Sequence, residues 1–238
     1  LNSWIFAGLC DKSDMLLYIC KLLAGGGGKV LLVDATEKRK YPYFVGGLDE
    51  RLGITEFSGF DVACGFEDAD GLEAHLQSHG GGFENYDYVI YDLELLGFCS
   101  KEDWERASAL VWATDYEVWT LEEGGRWLKQ AAHRQFEQGV IPEMRKVAVR
   151  AVDEWFGDSY LDGYFADLPV RWKGETFVLP WNELDLSLKL RNEHTKKLEM
   201  KPLTRGYKKQ LCNLVQNLTD RDRKQVHRAL RNAERRKG

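Results

Sequence analysis

Short apolar runs alternate along this chain with longer stretches of helical spacing. Trp4-Ile5-Phe6-Ala7, Val30-Leu31-Leu32-Val33 and Ala109-Leu110-Val111-Trp112-Ala113 are apolar at every position, the pattern of strands covered on both faces. Strands are expected at 3–7, 30–33, 60–64, 86–92, 109–113, 147–149 and 176–179. Helices are expected at 12–24, 69–78, 101–107, 119–136 and 207–218. In the first helix Met15, Leu16, Tyr18, Ile19, Leu22 and Leu23 make an apolar face too wide for an exposed helix. The glycine run 25–28 ends it, and Gly124-Gly125 interrupts the 119–136 pattern. Residues 37–58 are polar and glycine-punctuated, which predicts a loop with a short helix around 47–52. The alternation predicts an α/β fold: a mostly parallel, doubly wound sheet of about seven strands with helices on both faces. The expected organisation is one domain over 1–218 and a basic C-terminal helix or tail over 219–238.

Sheets of this kind bind ligands at the carboxyl ends of their strands. Those ends carry Gly8 to Ser13, Asp34 and Asp92. A strand, then Lys12-Ser13, then a helix is the layout of a phosphate loop. In that reading Lys12 caps a phosphate, Ser13 reaches a Mg²⁺ ion and Asp92 holds the metal through water. The opposing reading pairs Lys12 with Asp34 or Asp92 in an empty or remodelled site. A working loop wraps phosphate in bare backbone N–H groups, whereas Leu9, Cys10 and Asp11 stand where close approach is needed. The Asp11 carboxylate also repels an anion, by up to roughly 4 kcal/mol at about 4 Å and an effective dielectric constant of about 20. Tight ATP binding and hydrolysis are therefore not expected, and no catalytic residue is assigned.

These residues resemble the MinD/ParA family of deviant Walker A ATPases. The family motif K-G-G-x-G-K-T-T falls on Ala7-Gly8-Leu9-Cys10-Asp11-Lys12-Ser13-Asp14. The lysine that crosses the family's dimer is Ala7 here, and two motif glycines are Leu9 and Asp11. The phosphate lysine and metal hydroxyl remain as Lys12 and Ser13. The family's V-D-x-D reads Val33-Asp34-Ala35-Thr36, so Thr36 stands where the water-positioning acid belongs. The Walker B strand matches as Tyr86 to Asp92. Arg150 falls where many members have an adenine-contacting Asn, and Pro180 falls in the loop beside the base. The resemblance covers about residues 3–218, with the TadZ/CpaE-like branch nearest in character. It implies a vestigial nucleotide site at Gly8, Asp11, Lys12, Ser13, Asp34, Asp92, Arg150 and Pro180, with Ser13 and Asp92 as metal ligands only if Mg-ATP binds. ATP and Mg²⁺ are the cofactors only if the eroded site still takes them; otherwise none is expected. The implied function is a non-catalytic scaffold or positioning protein: a pseudo-ATPase that dimerises and recruits pilus, secretion or positioning machinery. The alternative is an active atypical ATPase with ATP-dependent dimerisation, DNA-associated through its basic end. Tyr41, Tyr43 and Phe44, after the second strand, suit a dimer interface if exposed, or cover the local core.

Charge changes the picture at one end. The net charge of −5 hides 14 Lys and Arg against 4 Asp and Glu in residues 195–238, a local +10 that leaves −15 on the rest. From 221 to 237 Val226, Ala229, Leu230 and Ala233 form an apolar stripe too thin to insert in a membrane. Arg223, Lys224, Arg228, Arg231, Arg235 and Arg236 suit phosphate backbones, anionic lipid or an acidic protein; the opposing reading is a solvated helix, or a tail lying on its own acidic body. His194 and His227 read as surface residues. Five scattered cysteines without a C-x-x-C pair fit reduced thiols rather than a metal site. Without a membrane-length apolar run or a signal pattern, the expected location is cytoplasmic, or peripheral at the membrane or cell pole. A start on Leu1 rather than Met reads as a trimmed end.

Overall fold

The computed structural model describes residues 1–46, 53–137, 139–152 and 158–235. The short helix expected around 47–52 lies outside them, as does Arg236.

The spine of the fold is a run of parallel strands: β1 (Asn2–Ala7), β2 (Val30–Ala35), β4 (Phe60–Ala63), β5 (Tyr88–Leu93), β6 (Ala109–Thr114), β7 (Glu143–Ala151) and β9 (Phe177–Pro180). An antiparallel strand, β3 (Ile54–Phe57), and a two-residue strand, β8 (Arg171–Trp172), complete the sheet. The order is β3-β4-β2-β5-β1-β6-β7-β8, with β9 also on β7. Among the described residues the sheet thus has nine strands, where the apolar runs predict about seven. The additions are the weakly apolar edges: Ile54-Thr55-Glu56-Phe57 folds back on β4 as a hairpin, and Arg171-Trp172 is too short to carry a pattern.

Alternate residues of each central strand serve two cores. Trp4, Phe6, Leu32, Ile90 and Val111 face one; Ile5, Ala7, Val33, Tyr91 and Trp112 face the other. The first core is covered by α1 (Ser13–Gly25), α8 (Arg205–Leu218) and α9 (Arg223–Arg235). The second is covered by α3 (Ala69–Ser78), α4 (Lys101–Arg106), α5 (Val118–Gln135) and α6 (Asp158–Phe165). The two-sided covering expected from the apolar runs is what is found. Gly124-Gly125 does not break α5. A Cβ at Gly124 would sit 3.0 Å from the Trp112 indole, so a small residue lets the helix close on the sheet.

Two helices carry no readable stripe in the sequence. The first, α2 (Tyr41–Val45), is one turn. The second, α7 (Glu183–Thr195), has Leu184, Leu186, Leu188 and Leu190 at every second position, the period of a strand. It folds as a helix because Asn182 caps it by accepting from the Leu184 N–H at 2.9 Å, while Asp185, Leu188 and Asn192 turn inward along one face.

The C-terminal helix α9 packs against α1 and α8, with Val226, Ala229, Leu230 and Ala233 all buried and Ala229 and Ala233 set against Gly25 of α1. Gly25 makes this possible: a Cβ there would lie 2.6 Å from the Ala229 carbonyl oxygen and 2.9 Å from the Ala233 nitrogen. Asp222 opens α9 with a reciprocal cap, accepting from the Gln225 N–H at 2.9 Å while its own N–H donates to the Gln225 side chain at 2.7 Å.

Candidate functional site

The carboxyl ends of β1, β2, β5, β7 and β9 converge where α1 and α7 begin. Gly8 leaves β1 at φ +140, and a Cβ there would lie 2.0 Å from the Ala113 carbonyl oxygen; no side chain fits that crossing. The loop then delivers Lys12 to the N-terminus of α1.

Lys12 is fully buried and turned inward. Its ammonium donates to the Gly8 carbonyl at 2.7 Å and pairs with Asp92 Oδ1 at 2.7 Å. Burial works against that charge, but the Asp92 carboxylate outweighs it and holds the ammonium above the ordinary lysine range. Tyr41 donates to Asp92 Oδ2 at 2.7 Å, so both oxygens of Asp92 are engaged within the chain. On the neighbouring strand, Asp34 Oδ1 accepts from the Thr36 N–H at 3.1 Å and its hydroxyl at 2.6 Å. Burial raises the Asp34 carboxyl despite these bonds.

Asp11 forms the second cluster. Its Oδ1 accepts from the Ser13 hydroxyl at 2.6 Å and the Ser13 N–H at 3.3 Å. Its Oδ2 lies 3.1 Å from Lys189, 3.2 Å from Arg150 and 3.3 Å from Lys40. Burial alone would raise this carboxyl; Lys189, the Ser13 hydroxyl, Lys40 and Arg150 together hold it well below the usual carboxylate range. Arg150 also donates to the Asp11 carbonyl at 2.9 Å. It does so from an irregularity in β7 at φ +53, a conformation that costs a non-glycine residue about 1 kcal/mol or more.

Of the residues proposed from the sequence, Gly8, Asp11, Lys12, Ser13, Asp92 and Arg150 are linked by these contacts, and Asp34 sits beside Asp92 in register. Pro180 lines a cleft that adjoins the Asp11 cluster through Arg150 and Lys189 and holds only about 50 Å³. Small-molecule sites usually enclose about 300 Å³ or more. Lys40, Lys189 and the Tyr41 hydroxyl were missed. Lys189 and Asp11 are 178 positions apart, and no local pattern signals such a pair. Tyr41 and Phe44 are buried, so of the two readings open from the sequence the covering of the local core holds for them; Tyr43 alone of the three is open, at 75%. Further exposed apolar side chains lie on and just before α7: Trp181, Leu184, Leu186 and Leu190. In the tail, Arg223, Lys224, Arg228, Arg231 and Arg235 point to solvent. His194 is exposed and His227 half-buried. No helix among the described residues is long and apolar enough to cross a membrane.

A lysine-bearing loop joins a central strand of a parallel α/β sheet to its helix. Solved structures share this fold. The cell division protein MinD from Aquifex aeolicus aligns at TM-score 0.58 and 14% identity, over 93% of this chain and 98% of that one. A ParA family ATPase from Chlorobium tepidum TLS aligns at 0.54 and 14%, over 96% and 97%. A plasmid partition protein from Borrelia burgdorferi B31, bound to AMPPNP, aligns at 0.54 and 13%, over 98% of both chains. The chain is MinD/ParA-like in fold; identities this low speak to fold alone. The sequence matches no family model and no curated protein.

Proposed function

We propose that this chain is a non-catalytic, MinD/ParA-like scaffold whose phosphate seat is filled from within. One observation carries the reading: the loop's own carboxylate, Asp11, is held by Ser13, Lys40, Arg150 and Lys189, while Lys12 is spent on Gly8 and Asp92. The side-chain cations that an ATP phosphate would need are already paired within the protein. The hydroxyl that would bind Mg²⁺ is turned to Asp11. The cleft by Pro180 is too small for a base. These residues do not fit a Mg²⁺–nucleotide, and no catalytic step is assigned to them.

A loop closed in this way needs no nucleotide to hold its shape, so its face can serve as a constant surface. Tyr43, Trp181, Leu186 and Leu190 present exposed apolar area beside it, as an interface does. The proposed behaviour is nucleotide-independent dimerisation through this face and recruitment of machinery such as a pilus or secretion apparatus. The proposed place is the cytoplasm, at the membrane or cell pole.

Calorimetry with ATP and Mg²⁺ tests the reading. No binding heat and no phosphate release are expected from the wild-type chain, and sedimentation should give the same dimer with and without ATP. The second reading, an active atypical ATPase associated with DNA, is favoured by the retention of Lys12, Ser13 and Asp92. ATP affinity abolished by Lys12→Ala, with steady phosphate release, would establish it instead.

A further inference from the structure

At the far end of α1 the glycine turn 25–28 and α9 enclose a cleft of about 450 Å³, within the usual size of small-molecule sites. The helix between is 13 residues long, so this cleft lies about 20 Å from Lys12. One wall is glycine backbone without side chains. The other is polar: Gln225, Arg228 and Asn232 stand at i, i+3 and i+7 on one face of α9, and Arg221 sits in the turn before it. None of the residues that line the cleft is acidic, and neither guanidinium has an ion pair among the described residues.

Arg221 is held in place. Its guanidinium lies over the Tyr88 ring at 5.8 Å, and Gly26 leaves it room, since a Cβ there would run into Nη1. Meeting the carbonyl end of α1 gives this one cation a structural role, but it does not account for Arg228, exposed across the same cleft. The cleft is rich in donors. Each guanidinium is a fork of N–H groups with no acceptor. Gln225 has its carbonyl engaged by the Asp222 N–H at 2.7 Å, which leaves its amide NH₂. Asn232 donates one N–H to the Gly25 carbonyl at 3.1 Å and keeps the other.

We propose that this cleft binds a small phosphate ligand, free or as a phosphomonoester, between Arg221 and Arg228, with the Gln225 and Asn232 amides as further donors. The cations select an anion. The number of donors favours a phosphate, whose several oxygens each accept from a guanidinium fork or an amide. An extended phosphate backbone would need a row of cations, and the exposed Lys224, Arg231 and Arg235 do not line the cleft. The site takes nothing from the loop after β1 and stands whether or not that loop binds nucleotide.

The test is calorimetry of the full chain with inorganic phosphate and with glycerol 3-phosphate, acetate serving as the control anion. Saturable binding is expected, weakened roughly tenfold or more by Arg228→Gln and by Arg221→Gln. Circular dichroism should show both variants folded; Arg228 is exposed, so Arg228→Gln decides if Arg221→Gln loosens its packing on Tyr88. Absence of saturable binding overturns the proposal, as does binding that survives Arg228→Gln or that acetate matches. Tighter binding of duplex DNA or phosphatidylglycerol vesicles through the same arginines refutes it too. Mg²⁺–ATP, whose phosphates are already paired with the metal, is a poor guest, and any heat from it that persists in Arg228→Gln belongs to the loop and bears on that reading alone.

Discussion

The loop after β1 and the helices α8 and α9 both gather lysines and arginines, but only the helices leave several of them available. In the loop each cation has an internal carboxylate: Lys12 has Asp92, and Lys40, Arg150 and Lys189 share Asp11. On the helical face Arg205, Lys209 and Arg223 look outward. Positive charge in a sequence is therefore a poor guide to anion binding by itself. What matters is whether a fixed acid has claimed it first. In this chain the loop's cations are paired internally, and the exposed ones lie on α8 and α9.

The sharpest way to break this contrast is to remove the acid from the buried pair. Asp92→Ala leaves the Lys12 ammonium without a counter-charge and should cost about 3–5 kcal/mol in chemical denaturation. Lys12→Met/Asp92→Leu, which removes both charges, should cost less; an equal loss would show that the pair is not what Asp92 supplies. Next in size is Gly25→Val. Its side chain has no room against Ala229 and Ala233, and a loss of about 1–3 kcal/mol is expected from overpacking, with increased exchange of the α9 amides.

Asp11→Asn comes third and separates charge from shape. Because the folded Asp11 carboxyl is held low, its contribution is fully present above the unfolded value of about 3.9 and is lost as pH falls from there toward the folded value. The acid limb of the stability curve should flatten in the variant, and inorganic phosphate should protect it at neutral pH more than it protects the wild type. The smallest effect is on the other surface. Lys209→Glu/Arg223→Glu should move the unfolding free energy by no more than about 0.5 kcal/mol, since both residues are exposed. A larger loss would mean that these side chains are part of the fold and not a free surface.

Much of this architecture is legible in the sequence where burial is two-sided. The strands β1, β2, β5 and β6 are apolar at nearly every position because helices cover both faces, and their ends deliver Gly8, Asp34 and Asp92 to one edge. The pairing of Lys12 with Asp92 was one of the two readings open from sequence. The hold on Asp11 was not legible. It depends on α7, whose leucines follow the wrong period, and on a positive-φ arginine in β7. Tyr41 and Phe44 stayed undecided between interface and local core because an aromatic in a polar loop looks exposed until the loop folds over the site. The hairpin partner β3 was hidden in a polar stretch for the same reason: an edge strand needs only one apolar face.

The close seat of α9 on Gly25 sets how the basic end can be studied. Cutting the chain after α8 would uncover the last turn of α1 and the apolar faces of both neighbours, so a truncated protein would report on aggregation. Its loss of affinity for any ligand would say nothing about arginine. Charge has to be removed one residue at a time, with the helix left in its place.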